Sequence, residues 1–300
     1  MRTPHESVTV VEVGPRDGLQ NESETIPAAT KLELIHRLAA SGLPVVEATS
    51  FVDPEKVPQL ADAEDVMAGL QKRSGVRYPA LVPNREGLDR ALKASAREIA
   101  VFTAASEQFN QKNINCSIDE SLQRFRPVVQ EALQHGLWVR GYISCVLGCP
   151  YQGKVPLSAV VHVAEQLEDM GCAEISLGDT IGVGTALEAA NMFKTVAHSV
   201  PMRRLAVHFH DTYGQALANI LACLDVGVSV FDASVGGLGG CPFAPGATGN
   251  VATEDVVYML DGLGLRTGVE LRALAETGKW ITSELNRPNH SRAGRALVGR

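Results

Sequence analysis

Two histidines stand two residues apart, His208 and His210, inside the largely apolar run 205–210. Side chains of an extended chain alternate with period two, so both imidazoles emerge on one side of it. Taken alone, such a pair reads as two hydrogen-bonded histidines in a strand, but further polar residues change the reading. Arg16-Asp17 follows the first apolar run, 8–14. Glu47 lies inside the run 45–51, Asp179 follows the run 174–178, and Asn250 comes shortly after the run 230–235. Polar groups in apolar strands are costly to bury unless they are paired or bound to a cation. Asp17, His208, His210 and the amide oxygen of Asn250 make a mixed nitrogen and oxygen donor set. It suits Mg²⁺ or Mn²⁺, with positions left open for a substrate. Zinc is the rival because of the histidines, although no thiolate pattern supports it.

Arg16, next to the acidic ligand, presents a planar cationic fork suited to an oxygen that acquires negative charge, such as that of a thioester or carboxylate. A salt bridge from Arg16 to Glu47 or Asp179 is compatible with that role. Cys241 sits in the glycine-rich stretch Gly236-Gly237-Leu238-Gly239-Gly240-Cys241-Pro242. That stretch is too flexible for a core element and suited to a lid, from which a thiol could deliver or remove a proton. The other five cysteines have buried-residue contexts and read as structural. No lysine falls at the end of an expected strand, which disfavours a Schiff-base mechanism. Lys112 and Lys154 are the nearest candidates for gripping a distal anionic group.

Such residues need a scaffold that brings distant segments to one place. Short Val- and Ile-rich runs (8–14, 45–51, 76–82, 99–103, 139–145, 174–178, 205–210 and 230–235) predict eight strands. Several are nearly continuous in apolar residues, as in parallel strands covered on both faces. Amphipathic stretches at 28–40, 61–69, 86–94, 117–135, 157–170, 186–198 and 215–225 predict helices between them. Many of these end in a glycine-containing turn, a helix stop signal. This rhythm predicts an α/β protein, a (β/α)8 TIM barrel with a short C-terminal helical extension. A doubly wound open sheet gives the same rhythm, but no GxGxxG follows the first strand. The expected organisation is one barrel domain over 1–300, its catalytic barrel at about 7–265 and the extension at about 266–300. In such a barrel the reacting groups lie at the C-terminal ends of the strands, where the residues singled out above fall.

Composition fits. Of 300 residues 45% are hydrophobic and 20% charged, and 27 Lys and Arg face 34 Asp and Glu for a net charge of −7. Neither a nucleic-acid binder nor a binder of anionic membranes has that footprint. There is no apolar run long enough to span a bilayer and no signal or transit pattern at the start. Six scattered cysteines without a CxxC pair fit reduced thiols. A cytoplasmic protein is the expectation.

Five segments carry a resemblance over nearly the whole chain: VGPRDGLQNE at 13–22, SEQFNQKNINCSIDES at 106–121, SCVLGCPYQGKV at 144–155, SLGDTIGVGT at 176–185 and GGLGGCPFAPGATGNVATED at 236–255. They resemble the 3-hydroxy-3-methylglutaryl-CoA lyase family, part of a metal-dependent TIM-barrel group that includes isopropylmalate synthase and homocitrate synthase. The resemblance implies retro-Claisen-type cleavage of 3-hydroxy-3-methylglutaryl-CoA to acetoacetate and acetyl-CoA. It implies Asp17, His208, His210 and Asn250 as ligands of Mg²⁺ or Mn²⁺, Arg16 as stabiliser of the enolate and Cys241 as the catalytic thiol. Asp179 and Glu47 match acidic positions of that site, as candidates for proton handling at the hydroxyl and for holding Arg16. A homodimer acting on a small acyl-CoA, in leucine catabolism or ketone-body formation, is implied as well. The alternatives are a lyase for a longer branched 3-hydroxyglutaryl-CoA, a Claisen-condensing acyltransferase, in which the Cys241 loop has no role, and a non-catalytic acyl-CoA binder.

Overall fold

The computed structural model describes residues 7–240 and 249–299. Its eight strands run parallel: β1 (Thr9–Glu12), β2 (ladder segments Val45–Val46 and Thr49–Ser50), β3 (Ala80–Leu81), β4 (Glu98–Ala104), β5 (Trp138–Ser144), β6 (Glu174–Asp179), β7 (Leu205–Phe209) and β8 (Val230–Ala233). The two segments of β2 close the sheet on itself. The first pairs with β1 (Val11 opposite Val45), and the second pairs with β3 (Thr49 opposite Ala80). At the other seam β1 pairs with β8 over Thr9–Glu12. The result is a barrel, and its eight strands coincide with the eight expected runs.

Helices α1 (Ala28–Ala40), α2 (Ala63–Gly69), α3 (Arg85–Lys93), α4 (Glu107–Ile114), α5 (Ile118–Gln134), α6 (Leu157–Met170), α7 (Ala186–Val196) and α8 (Ala216–Asp225) join the strands. Seven of them match expected helices to within two residues at each end. Helix α4 was not expected: its sequence is polar, and only the Ser106 side chain, which accepts from the Phe109 amide, marks its start. After α9 (Thr253–Gly262), helices α10 (Leu271–Glu284) and α11 (Arg292–Val298) pack on α9, and α10 also packs on α1. Among the described residues no helix is long and apolar enough to cross a membrane.

Inside the barrel the side chains form two zones. Val11, Val13, Val45, Ala206 and Val230 fill one. Further along the strands the filling turns polar, with Glu47, Arg140, Ser176 and Asp232 all at most 2% exposed. Such a layer persists only if its members satisfy one another.

Beneath the barrel's last turn two carboxylates hold the backbone. Glu12 accepts from the amides of Gly14 and Val235 and from the Thr253 hydroxyl, and Glu254 accepts from the Gly236 amide. Burial pushes Glu254 up to about 8, against its hydrogen bonds, and pushes Glu12 up to about 7 in the same way. The fold therefore favours protonated Glu254. Its stabilisation is complete below the ordinary carboxyl value and is lost as pH rises towards 8. The melting temperature of the wild type is expected to fall between about pH 5 and 8, by roughly 2–4 °C per kcal/mol lost. Glu254→Gln should flatten that fall in a thermal-melt series, and an unchanged slope would reject the assignment.

Candidate active site

Asp17 is delivered by a one-turn π-helix, Gly14–Gly18, that continues β1. The amides of Asp17 and Gly18 both reach back to the Val13 carbonyl, at 2.8 and 3.2 Å, and this turns Arg16 and Asp17 over the mouth. On β7 His208 lies in register with Gly178 on one side and Asp232 on the other. His210 follows on the same side. Donor atoms of Asp17, His208 and His210 all lie within 4.8 Å of one another, with His208 Nε2 3.9 Å from Asp17 Oδ2. The Asn250 amide nitrogen donates to Asp17 Oδ2 at 2.7 Å. A half-turn of that amide presents its oxygen to the cluster instead. All four expected ligands therefore converge.

The residues present fit a divalent cation. His210 Nδ1 is buried without a hydrogen-bond partner, the state of an atom shaped for a ligand. Burial, aided by His208, pushes His210 down to about 4, so near neutral pH its ring nitrogen has a lone pair to give. Burial pushes the Asp17 carboxyl up, but Arg16, the two histidines and Asn250 outweigh it and hold the group well below the usual carboxylate range. One carboxylate, two imidazoles and an amide oxygen form a hard-leaning set for Mg²⁺ or Mn²⁺.

Arg16 is 6% exposed and lines the cavity. Its Nε and Nη2 both lie 2.8 Å from Glu47 Oε2, and Nη1 donates to Asp17 Oδ1 at 2.7 Å. The expected Arg16–Glu47 pair is thus present. Glu47 is fully buried behind the arginine and is not among the residues that line the cavity. Burial raises the Glu47 carboxyl, opposed by Arg16. The Tyr142 hydroxyl donates to Glu47 Oε2 at 3.3 Å and accepts from Arg140 at 3.0 Å. Arg140 reaches Asp232 at 2.6 Å and Glu174 at 2.9 Å. Burial raises Asp232, but Arg140 and His208 outweigh it and hold the group low.

Asp179 does not join the cluster. Its neighbour Gly178 is the residue level with His208, whereas Asp179 is level with Phe209 and faces outward. Its carboxylate accepts from the amides of Val183 and Gly184, at 3.2 and 2.8 Å, and so holds the loop after β6. Burial, against those hydrogen bonds, pushes it up to about 6. Cys241 lies outside the described residues; the preceding Gly240 lines the cavity. The two stems of that segment touch through backbone: a Cβ on Gly249 would stand 2.5 Å from the carbonyl carbon of Gly239. This close approach, with positive φ at both residues, accounts for glycine there.

The cavity measures about 860 Å³; Arg16, Asp17, His208 and His210 line it together with the apolar side chains of Leu81, Phe102, Phe125 and Val128. Lys56, Arg85 and Arg124 are the cations of that lining away from Arg16, and neither Lys112 nor Lys154 is among it. Lys112 instead stands over the Tyr151 ring at 5.0 Å. Tyr142, Arg140 and Asp232 were missed as site residues. For the last two the signal was available, since each is a charged residue inside an apolar strand.

The family model described as HMGL-like matches residues 7–281. A hydroxymethylglutaryl-CoA lyase of Arabidopsis thaliana mitochondria is 58% identical over 290 residues, 97% of this chain, which spans 62% of that protein's length. A 3-hydroxy-3-isohexenylglutaryl-CoA/hydroxy-methylglutaryl-CoA lyase of Pseudomonas aeruginosa is 57% identical over 98% of both chains. The crystal structure of hydroxymethylglutaryl-CoA lyase from Pseudomonas aeruginosa superposes with a TM-score of 0.97 at 56% identity, covering 99% of each chain. An HMG-CoA lyase from Acinetobacter baumannii, in complex with coenzyme A and 3-methylmalate, has a TM-score of 0.93 at 36% identity and covers 100% of this chain and 97% of that one.

Proposed function

The chain belongs to the HMGL-like family, and from that membership we propose a carbon–carbon lyase that cleaves 3-hydroxy-3-methylglutaryl-CoA to acetoacetate and acetyl-CoA. The observation that carries this reading is Arg16 beside the Asp17–His208–His210 cluster in the lining of the cavity. A divalent cation, Mg²⁺ or Mn²⁺, held by Asp17, His208, His210 and Asn250, would acidify the tertiary hydroxyl and bind the substrate's carboxylate end. As the bond between C2 and C3 breaks, its electron pair moves into the acetyl-CoA enolate, and C3 becomes the ketone of acetoacetate. Arg16 faces that enolate oxygen as a fixed cation, and Glu47 and Asp17 hold its fork in place. The hydroxyl proton would leave to solvent at the open side of the cavity, since Asp17, His208 and His210 would have their lone pairs engaged by the cation and by Arg16. A proton from Cys241 completes acetyl-CoA. Glu47 serves by positioning Arg16, and Asp179 by holding the β6 loop. In the same reading the enzyme is a cytoplasmic homodimer serving leucine breakdown and ketone-body formation.

A second substrate is favoured by one observation. Four apolar side chains, Leu81, Phe102, Phe125 and Val128, line the cavity and could take a longer C3 substituent. A 57%-identical relative is named for both the methyl and the isohexenyl substrate. An added apolar group in such a pocket changes preference by only about 1–3 kcal/mol. The test is to incubate the purified protein and Mg²⁺ with each CoA ester and to quantify acetyl-CoA and the keto acid. Acetoacetate is expected from the methyl substrate. Its absence would overturn the reading, and turnover of the isohexenyl ester alone would move the enzyme to the longer class.

A further inference from the structure

We propose that Asp232 is the positioning residue of His208, fixing the imidazole with its hydrogen on Nδ1 and a bare Nε2 turned to Asp17. The inference rests on reading Asp17, His208 and His210 as a cation site. Asp232 stands on β8 directly level with His208 and is 1% exposed. Its two oxygens divide their work. Oδ1 takes the Arg140 Nη2 donor at 2.6 Å, while Oδ2 takes the Ser176 hydroxyl at 2.9 Å and faces His208 Nδ1 at 3.2 Å. A carboxylate has only lone pairs to offer, so the hydrogen of that contact belongs to Nδ1. In a ring with a single hydrogen, that hydrogen is then the one on Nδ1, and Nε2 is an acceptor. It looks at another acceptor, Asp17 Oδ2, across 3.9 Å. Two lone-pair atoms held at that separation fit a cation between them.

A plain counter-ion for Arg140 would not need this arrangement. Glu174 also pairs with Arg140, at 2.9 Å, and the oxygen of Asp232 turned to His208 is not the one turned to Arg140. Outer carboxylates that orient ligating histidines typically account for about 10–100-fold in metal affinity. Nothing in the local sequence pairs Asp232 with His208, 24 residues earlier. The barrel's register does.

The direct test uses the wild type. Metal-free protein labelled with ¹⁵N-histidine, at pH 8, is examined by two-bond ¹H–¹⁵N spectroscopy, with the His208 ring assigned by its loss in His208→Gln. The Nδ1–H tautomer is expected, and an Nε2–H tautomer overturns the proposal. Asp232→Asn should then weaken Mn²⁺ binding, read by calorimetry, by about 10–100-fold, with Ser176→Ala giving a smaller loss. A folded Asp232→Asn protein with wild-type Mn²⁺ affinity also overturns it. Should that variant not fold, the wild-type tautomer and Ser176→Ala decide the matter. An intact tautomer without acetoacetate formation would instead count against the substrate assignment alone.

Discussion

Replacing Arg16 by methionine is expected to cut kcat by roughly a thousandfold, the upper end for loss of one preorganised stabiliser of an oxyanion, while cation binding survives. The loss should appear in kcat and kcat/KM alike, because the guanidinium meets full negative charge only as the enolate forms. A KM effect alone would contradict the role. The same replacement strands Glu47, which is fully buried and finds its ionic partner in Arg16 at 2.8 Å. Breaking a buried pair from one side costs about 3–5 kcal/mol, so the melting temperature should drop as well. Stability and catalysis can be separated by adding Glu47→Gln, which removes the stranded charge. The double variant should recover much of the melting temperature and none of the turnover. Arg16→Lys should rescue little, since Nε, Nη1 and Nη2 are all engaged and an ammonium cannot reproduce that planar fork.

Period-two alternation explains both what was legible beforehand and what was misread. Applied to His208 and His210 it put both rings on one side, and they do converge. Applied equally to the end of β6 it makes only one of Gly178 and Asp179 face inward, and the ladder chooses the glycine. Which one faces inward is a matter of register with a neighbouring strand, and a single sequence does not contain that. Arg140 and Asp232 show the same limit. Each is conspicuous as a charge in an apolar strand, yet they are 92 residues apart and on strands that do not pair, meeting across the barrel's interior. The strand and helix rhythm needed no such knowledge, because each apolar run and each glycine-ended helix is a local pattern. The turn that carries Arg16 and Asp17 has no local pattern that announces its shape, and it is a π-helical turn closed on Val13. Likewise the glycines at 239 and 249 are explained only once the two are seen backbone to backbone.

Chelation with EDTA should abolish turnover, and Mg²⁺ or Mn²⁺ should restore it. Asp17→Asn should lose both cation binding and activity, and no concentration of substrate should compensate. Among the proposed ligands Asp17 alone carries negative charge, the imidazoles and the Asn250 amide carrying none, so the exchange removes the site's only anionic donor. The effect on Mn²⁺ affinity should exceed the 10–100-fold typical of outer partners. The carboxylate also anchors Arg16 Nη1 and the Asn250 amide. An asparagine oxygen can still accept one of these bonds, so the fold is expected to hold and the failure to be one of charge. Arg16→Met and Asp17→Asn then form a crossed pair on adjacent residues. The first keeps the cation and loses turnover; the second loses the cation and turnover together. Calorimetry with Mn²⁺ on both proteins reads the difference without any assay of product. If Asp17→Asn bound Mn²⁺ as the wild type does, the cluster would have to be re-read as a hydrogen-bonded carboxylate–histidine network, and the orphaned Nδ1 of His210 would need another partner.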